Sequence, residues 1–225
     1  GLPEGTLAPA NHPLAALVRG LPLALAEACW FVPAYRPLAV SGIDPNMNLL
    51  LTPRAFRGEQ ARQLFPKEVE PMDFAVAGTV HATADGALDS VEFTLWEVRK
   101  ARLMKTIRGQ GAGAVANAWA QLLGYMEAAK TGSAPLAYSA PADPEAHAVA
   151  LDAVLHFFLA EKKVLPPEKL APHAPRLAAL AAYATAHPDA AVPRLAFFSA
   201  LHHSQNLGLA LPREVVAIAE KLSAS

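Results

Sequence analysis

A glycine-rich turn between a predicted strand and a predicted helix is where the sequence first suggests ligand chemistry. Residues 109–113 read Gly-Gln-Gly-Ala-Gly, and two cationic residues come just before them. The free N–H groups and the positive dipole end of a helix N-terminus bind anions such as phosphate. We therefore consider a site for a small anion or a nucleotide, made of Lys105, Arg108, Gly109, Gly111 and Gly113.

The competing interpretation of this turn is a plain strand-to-helix connection. A dinucleotide-binding fingerprint needs a buried parallel strand before the glycines and an acidic residue about 20 positions later. Arg102–Arg108 instead has the pattern of an amphipathic strand in an antiparallel meander. The anion site is therefore the alternative hypothesis for this chain and not the first one.

Histidines near carboxylates raise the question of a metal site. Asp152 and His156 lie four residues apart on one face of a predicted helix, and His202 and His203 are adjacent near the end of another. Zinc needs three or four ligands with compatible geometry, whereas a pair four residues apart is typical of a surface or capping interaction. Histidines near a helix C-terminus also complement its dipole. We predict no metal and no other cofactor.

The chain has no pattern typical of a hydrolase. A nucleophile needs a neighbouring base and a group that orients it, but the serines lack a nucleophile-elbow context and Cys29 lies in an apolar helix. Glu92 and Glu97 have opposite parity on one predicted strand, so they face opposite sides of the sheet. We predict no catalytic residues and favour a role other than that of an enzyme.

Composition indicates a globular chain without the excess of basic residues that is typical of nucleic-acid-binding proteins. Hydrophobic residues make up 53% of the 225 residues, charged residues 17%, and the formal net charge is −1. Binding to nucleic acid or to an anionic membrane usually needs a clustered basic excess. Leu14–Val32 is the most apolar run, but Arg19, Pro22 and Glu27 interrupt it, so no membrane span is predicted.

The elements that would position these groups include an antiparallel sheet. Three β-rich runs cover residues 74–82, 88–98 and 101–108. Asp85-Gly86 joins the first two and predicts a hairpin, because glycine accepts a positive φ without steric cost. Trp30–Ser41 contains two prolines and predicts an edge strand or an extended segment. Helical periodicity covers the remaining segments of this half, at His12–Cys29, Arg54–Leu64 and Ala114–Lys130.

A change in composition marks a domain boundary. Residues 131–142 are rich in Ser, Gly, Pro and Ala, which predicts a linker. Asp143-Pro144-Glu145 then supplies an N-cap, a first-position proline and a first-turn acid for a helix that ends near Lys163. Three more helices are expected at residues 173–186, 190–206 and 212–223. The predicted organisation is a lead-in at 1–11, an α/β domain at 12–130, the linker, and a helical domain at 143–225.

Two short sequence patterns each occur twice among these helices and bear on how the helices pair. Phe157-Phe158 recurs as Phe197-Phe198, and Leu165-Pro-Pro-Glu168 recurs as Leu211-Pro-Arg-Glu214. Such spacings are compatible with two stacked helical hairpins, and a plain helical bundle is the alternative. Most of these phenylalanines should be core residues, and an exposed pair would form a surface for a protein partner or for self-association.

The N-terminal part resembles a known family. Its strands read Phe74-Ala-Val-Ala-Gly-Thr-Val, Val91-Glu-Phe-Thr-Leu-Trp-Glu-Val and Arg99-Lys-Ala-Arg-Leu-Met-Lys-Thr. These strings, and the order of helix, strand, helix, meander and helix, are similar to the N-terminal α/β domain of TolB-type periplasmic proteins. Related domains occur in envelope lipoproteins and beside tetratricopeptide repeats. The resemblance covers about residues 12–130 and implies a non-catalytic domain that docks partner proteins or senses.

These observations together predict an α+β fold class and an interaction function. The N-terminal domain would hold a three-stranded antiparallel meander with helices, and the C-terminal domain would be an all-α arrangement of helical hairpins. We expect a non-enzymatic protein-interaction or assembly module that binds a protein partner or itself, with no nucleic acid. The resemblance favours the periplasm or cell envelope over the cytoplasm.

Overall fold

The computed structural model describes residues 12–30, 32, 34–51, 60, 72–128, 140–170 and 172–224. These residues form a mixed α+β fold with six α-helices and one three-stranded antiparallel sheet, which confirms the predicted fold class. No helix in these ranges is both long enough and apolar enough to span a membrane. The elements are α1 (Ala15–Trp30), β1 (Phe74–Ala82), β2 (Leu88–Glu97), β3 (Arg102–Gln110), α2 (Ala114–Ala128), α3 (Pro144–Glu161), a 3-10 turn (Pro167–Leu170), α4 (His173–Ala186), α5 (Ala191–Asn206) and α6 (Arg213–Ser223).

The sheet is the meander that the Asp85-Gly86 signal predicts. Its strands pair in the order β1, β2, β3, and both pairings are antiparallel. Gly86 has a φ of 86°, and the Thr83 N–H donates to the Ala87 carbonyl at 2.9 Å. Glycine therefore fits this turn because a residue with a Cβ is strained there. The second strand ends one residue before the predicted boundary, and the third continues to Gln110.

One face of the sheet is buried under α1 and α2. Along β2, Val91, Phe93 and Leu95 are buried while Glu92 and Thr94 between them are half-buried. This alternation follows from the period of two in a strand, which turns every second side chain to the same face. Both helices pack on the face that carries Val91, Phe93 and Ile107 of β3. The sheet and the two helices thus share one core.

The segment before the sheet contributes an irregular connection. Residues 34–42 form no strand, so the described part of Trp30–Ser41 holds no edge strand, and Trp30 is the last residue of α1. A turn follows, closed by an isolated bridge between Ile43 and Leu49 and by the Asp44 carboxylate, which accepts the Asn48 N–H at 2.8 Å. The helix predicted at Arg54–Leu64 lies outside the described residues.

Helices α3 to α6 form two antiparallel pairs with a shared core. In the pair of α3 and α4, His147 near the start of α3 lies beside Tyr183 near the end of α4, with ring centroids 6.4 Å apart. In the pair of α5 and α6, Arg194 near the start of α5 donates to the Leu222 carbonyl near the end of α6 at 2.6 Å. Helix α3 also packs on α5, α4 on α5 and α4 on α6, so the four helices share one core, and the repetition of two stacked hairpins stays a prediction.

The start of α3 is capped as the sequence predicts. The Asp143 carboxylate accepts the N–H groups of Glu145 and Ala146 at 3.1 and 3.0 Å. Pro144 occupies the first helical turn, where a missing N–H costs nothing. The cap marks the start of α3 after the predicted linker, of which residues 140–142 are described.

Helix α3 takes part in both cores. Ala148 packs into the core of the sheet with α1, whereas Ala153, Phe157 and Ala160 pack into the core of the paired helices. The contact with α1 is exceptionally close, because a Cβ added to Gly20 would lie 1.7 Å from the Ala148 carbonyl oxygen. The two halves of the described chain are therefore joined by a crossing of helix backbones.

Gly20→Ala should destabilise the protein even though alanine is the better helix former. The added methyl group overlaps the α3 backbone, so α1 has to move, and we expect a loss of about 1–3 kcal/mol in the free energy of unfolding. Urea denaturation measures this loss.

Gly124→Ala in α2 is the matched control for that substitution. A Cβ at Gly124 meets no atom within 4 Å, so this variant should gain up to ~1 kcal/mol from helix propensity alone. A gain of similar size for Gly20→Ala would contradict the close crossing.

Candidate functional site

The glycine turn at residues 109–113 has structural reasons for its glycines. Gly109 is buried under the first turn of α2, and a Cβ there would lie 1.9 Å from the Ala114 carbonyl oxygen. Gly111 and Gly113 have φ values of 66° and 80°, which disfavour a residue with a side chain. The glycines are therefore explained by helix packing and by the turn, without a ligand.

The two cations of the predicted anion site have other partners. Arg108 Nη2 donates to Glu92 Oε2 at 2.6 Å across the sheet. Lys105 projects from the opposite face, and its ammonium lies 5.8 Å from the centroid of the Tyr125 ring, near the far end of α2. The fold does not bring Lys105 and Arg108 together at the turn. The anion site stays a prediction.

The Asp152–His156 pair forms part of a buried ionic cluster between α1, α3 and α4. Arg19 Nε and Nη2 donate to the two carboxylate oxygens of Asp152 at 2.8 and 3.0 Å. His156 Nδ1 donates to the Asp152 carbonyl at 2.7 Å, and burial lowers the pKa of this histidine. Among the described residues, no group of three or more His, Cys, Asp or Glu side chains is arranged to hold a metal ion. This cluster links α1 to α3.

A second buried pair between α1 and α3 was not predicted. His147, which is 1% exposed, places Nε2 3.0 Å from the Glu27 carboxylate. The partners of both pairs are separated by 120 and 133 residues in the chain. No local sequence pattern predicts such pairs. The one signal in the sequence is Gly20, because a glycine within an apolar helix can mark a close contact with another helix.

His203 belongs to a polar network at the C-terminal ends of α3 and α5. The Glu161 carboxylate accepts hydrogen bonds from His203 Nδ1 and, at 3.1 Å, from Asn206 Nδ2. These bonds lower the pKa of Glu161 from its ordinary 4.5 to about 2. Lys162 lies 3.3 Å from the other carboxylate oxygen, and His202 bonds to Asn206 at 3.1 Å. We call Glu161, His203 and Asn206 the Glu161 network.

An open cavity of about 330 Å³ lies beside the Glu161 network. It falls between the ends of α3 and α5, the connection that follows α3, and the turn that contains Met47. A pocket of this size is at the lower end of the range for small ligands. Its polar lining is Glu161, Lys163 and Asn206, and its apolar lining is Met47, Ala160, Leu165, Pro166, Pro167 and Leu207.

Backbone hydrogen bonds fix the two helix ends that form the cavity. After α3, the N–H groups of Lys163 and Val164 donate to Ala160 and Leu159 at 3.0 and 2.8 Å. After α5, the N–H groups of Gly208 and Leu209 donate in the same pattern to Gln205 and Ser204. This is the Schellman motif at both ends, with Lys163 and Gly208 in the left-handed position at φ values of 58° and 68°. The cavity walls are therefore preformed.

The four phenylalanines of the predicted partner surface divide into two kinds. Phe157 and Phe197 are fully buried, and Phe198 is half-buried against the same core. Phe158 is 42% exposed and lies against His203 of the Glu161 network, with ring centroids 5.8 Å apart. Of these four side chains Phe158 is the exposed one, so the predicted partner surface narrows to Phe158.

Comparison of the chain with protein-family models, with curated proteins and with solved structures found no match. The resemblance to TolB-type domains therefore stays a prediction. The site combines an exposed aromatic ring, the Glu161 network and a largely apolar cavity at the C-terminal ends of α3 and α5.

Glu161→Gln should be less stable than the native protein near neutral pH, and this difference should vanish in acid. A carboxyl group whose pKa is lowered by folding stabilises the fold above its unfolded pKa, and this stabilisation is lost as the pH falls through its folded pKa. For Glu161 the window runs from 4.5 down to about 2. Urea denaturation of both proteins across this range measures the difference.

Glu220→Gln on α6 provides the control, since Glu220 is exposed and makes no ion pair with a described residue. Its difference from the native protein should be small at every pH. A Glu161→Gln difference that persists unchanged below about pH 3 would contradict the role of the ionised carboxylate.

Proposed function

We propose that this chain is a non-enzymatic interaction module that binds an extended segment of a partner protein at the C-terminal ends of α3 and α5. The observation that carries the proposal is an exposed aromatic ring and an open cavity that both adjoin the Glu161 network. Phe158, which is 42% exposed, contacts His203, and Glu161 and Asn206 line the cavity of about 330 Å³. We call Phe158, the Glu161 network and the cavity the docking surface.

Phe158 has the properties of an interface anchor. The edge of the His203 ring contacts it at an interplanar angle of 73°, and the Lys162 ammonium lies 5.6 Å from its centroid. These contacts restrict the ring before any partner arrives, so little side-chain entropy is lost on binding. Buried aromatic side chains surrounded by polar groups commonly dominate the binding energy of protein interfaces.

The Glu161 network supplies the polar part of the docking surface. Its hydrogen bonds are satisfied within the chain, so a partner gains affinity mainly from apolar contacts on either side of it. An extended peptide segment suits this pattern, because its alternate side chains share one face about 6–7 Å apart, so a segment of few residues reaches two separate anchors. A partner segment with one side chain on Phe158 and another in the cavity fits both.

Peptides selected against the full chain should depend on Phe158. A random peptide library displayed on phage is panned against the protein, and enriched peptides are synthesised and titrated by fluorescence anisotropy. We expect them to bind Phe158→Ser at least about tenfold more weakly than the native protein, as for a central interface residue.

Leu195→Ser is the matched control, because Leu195 is 66% exposed on α5 but lies near its opposite end. This variant should bind the peptides as the native protein does, and circular dichroism checks that both variants fold. Equal binding by Phe158→Ser, equal loss in both variants, or no enriched peptide at all would count against the proposal.

A further inference from the structure

We infer that the cavity recognises a carboxylate carried on an apolar group, and that Lys163 selects this charge. The inference rests on the proposed docking surface, whose partner segment would present the group as a terminal or side-chain carboxylate. The charged and apolar residues that line the cavity indicate this ligand chemistry. The charged residues of the lining are Glu161 and Lys163.

The charge of Glu161 is already engaged by its own chain. One carboxylate oxygen accepts hydrogen bonds from His203 and Asn206, and the other lies 3.3 Å from the Lys162 ammonium. A ligand ammonium would have to displace these donors to reach the carboxylate. The cavity therefore offers a cationic ligand no free acceptor at Glu161.

Lys163 is the charge of the lining that remains open to a ligand. Its side chain is exposed, and it forms no ion pair with any residue in the described part of the chain. An ammonium on a flexible stem at the mouth of an apolar cavity attracts an anionic head group while the cavity takes the apolar body. The ends of α3 and α5 would repel an anion, but the capping N–H groups occupy the carbonyls of Leu159, Ala160, Ser204 and Gln205.

Local hydrogen bonds fix the two segments that face each other across the cavity. Lys163 is held by the Schellman motif after α3, and the Met47 N–H donates to the Asp44 carbonyl at 2.9 Å. Lys169 Nζ donates to Asn48 Oδ1 at 2.8 Å and holds the turn with Met47 in place.

A methionine-methyl NMR titration tests the inference. The chain has four methionines; Met47 lines the cavity, and Met126, whose sulfur lies 3.8 Å from Cys29 Sγ, serves as a distant reference. Met47→Leu assigns the signal. The probes are hexanoate, hexylamine and 1-hexanol, which differ only in head group. We expect hexanoate to shift the Met47 methyl signal and to bind about fivefold more tightly than either other probe.

Variants at two lysines separate charge selection from general effects. Lys163→Gln should weaken hexanoate binding about fivefold, whereas Lys163→Arg and Lys221→Gln, in the last turn of α6, should retain it. Equal affinities for the three probes, unchanged binding by Lys163→Gln, or hexanoate shifts that spare Met47 would overturn the inference. If the hexanoate results overturn the inference but the selected peptides still require Phe158, the proposed function is retained. If hexanoate binds as expected but no peptide depends on Phe158, the proposed function is contradicted and the carboxylate site is retained.

Discussion

Where α1 crosses α3, the backbone of Gly20 lies so close to the Ala148 carbonyl that a single added methyl group would overlap it. The Arg19–Asp152 salt bridge and the hydrogen bond between His147 and the Glu27 carboxylate flank this point and join the same two helices. A buried ion pair adds little net stability by itself, but loss of one partner leaves an uncompensated charge and is costly. The crossing is therefore specified both by shape and by charge.

This crossing places the paired helices relative to the sheet. Helix α3 packs its first half on α1 and its second half on α4 and α5, so its position is set before its C-terminal end is reached. At that end lie Phe158, the Glu161 network and the cavity. The groups proposed to bind a partner are thus carried by a helix that is fixed along most of its length.

The sequence was informative wherever the determining interaction is local. The Asp85-Gly86 turn and the Asp143 cap each depend on residues within a few positions, and both were predicted. Long-range contacts left no such trace, as Arg19–Asp152 illustrates with 133 residues between its partners. The sequence does not show which face of α3 is covered, so it could not predict that Phe157 is buried and Phe158 exposed. The cavity could not be predicted either, because residues from three separate segments line it.

Equilibrium unfolding followed by two probes tests whether the crossing of α1 and α3 joins the halves. All three tryptophans lie at or before Trp119, in the sheet half, whereas far-UV circular dichroism also reports on α3 to α6. We predict that tryptophan fluorescence and circular dichroism give the same midpoint in urea, since one cooperative unit unfolds as a whole. Two separate midpoints, with the helical signal persisting after the tryptophans are exposed, would contradict this account.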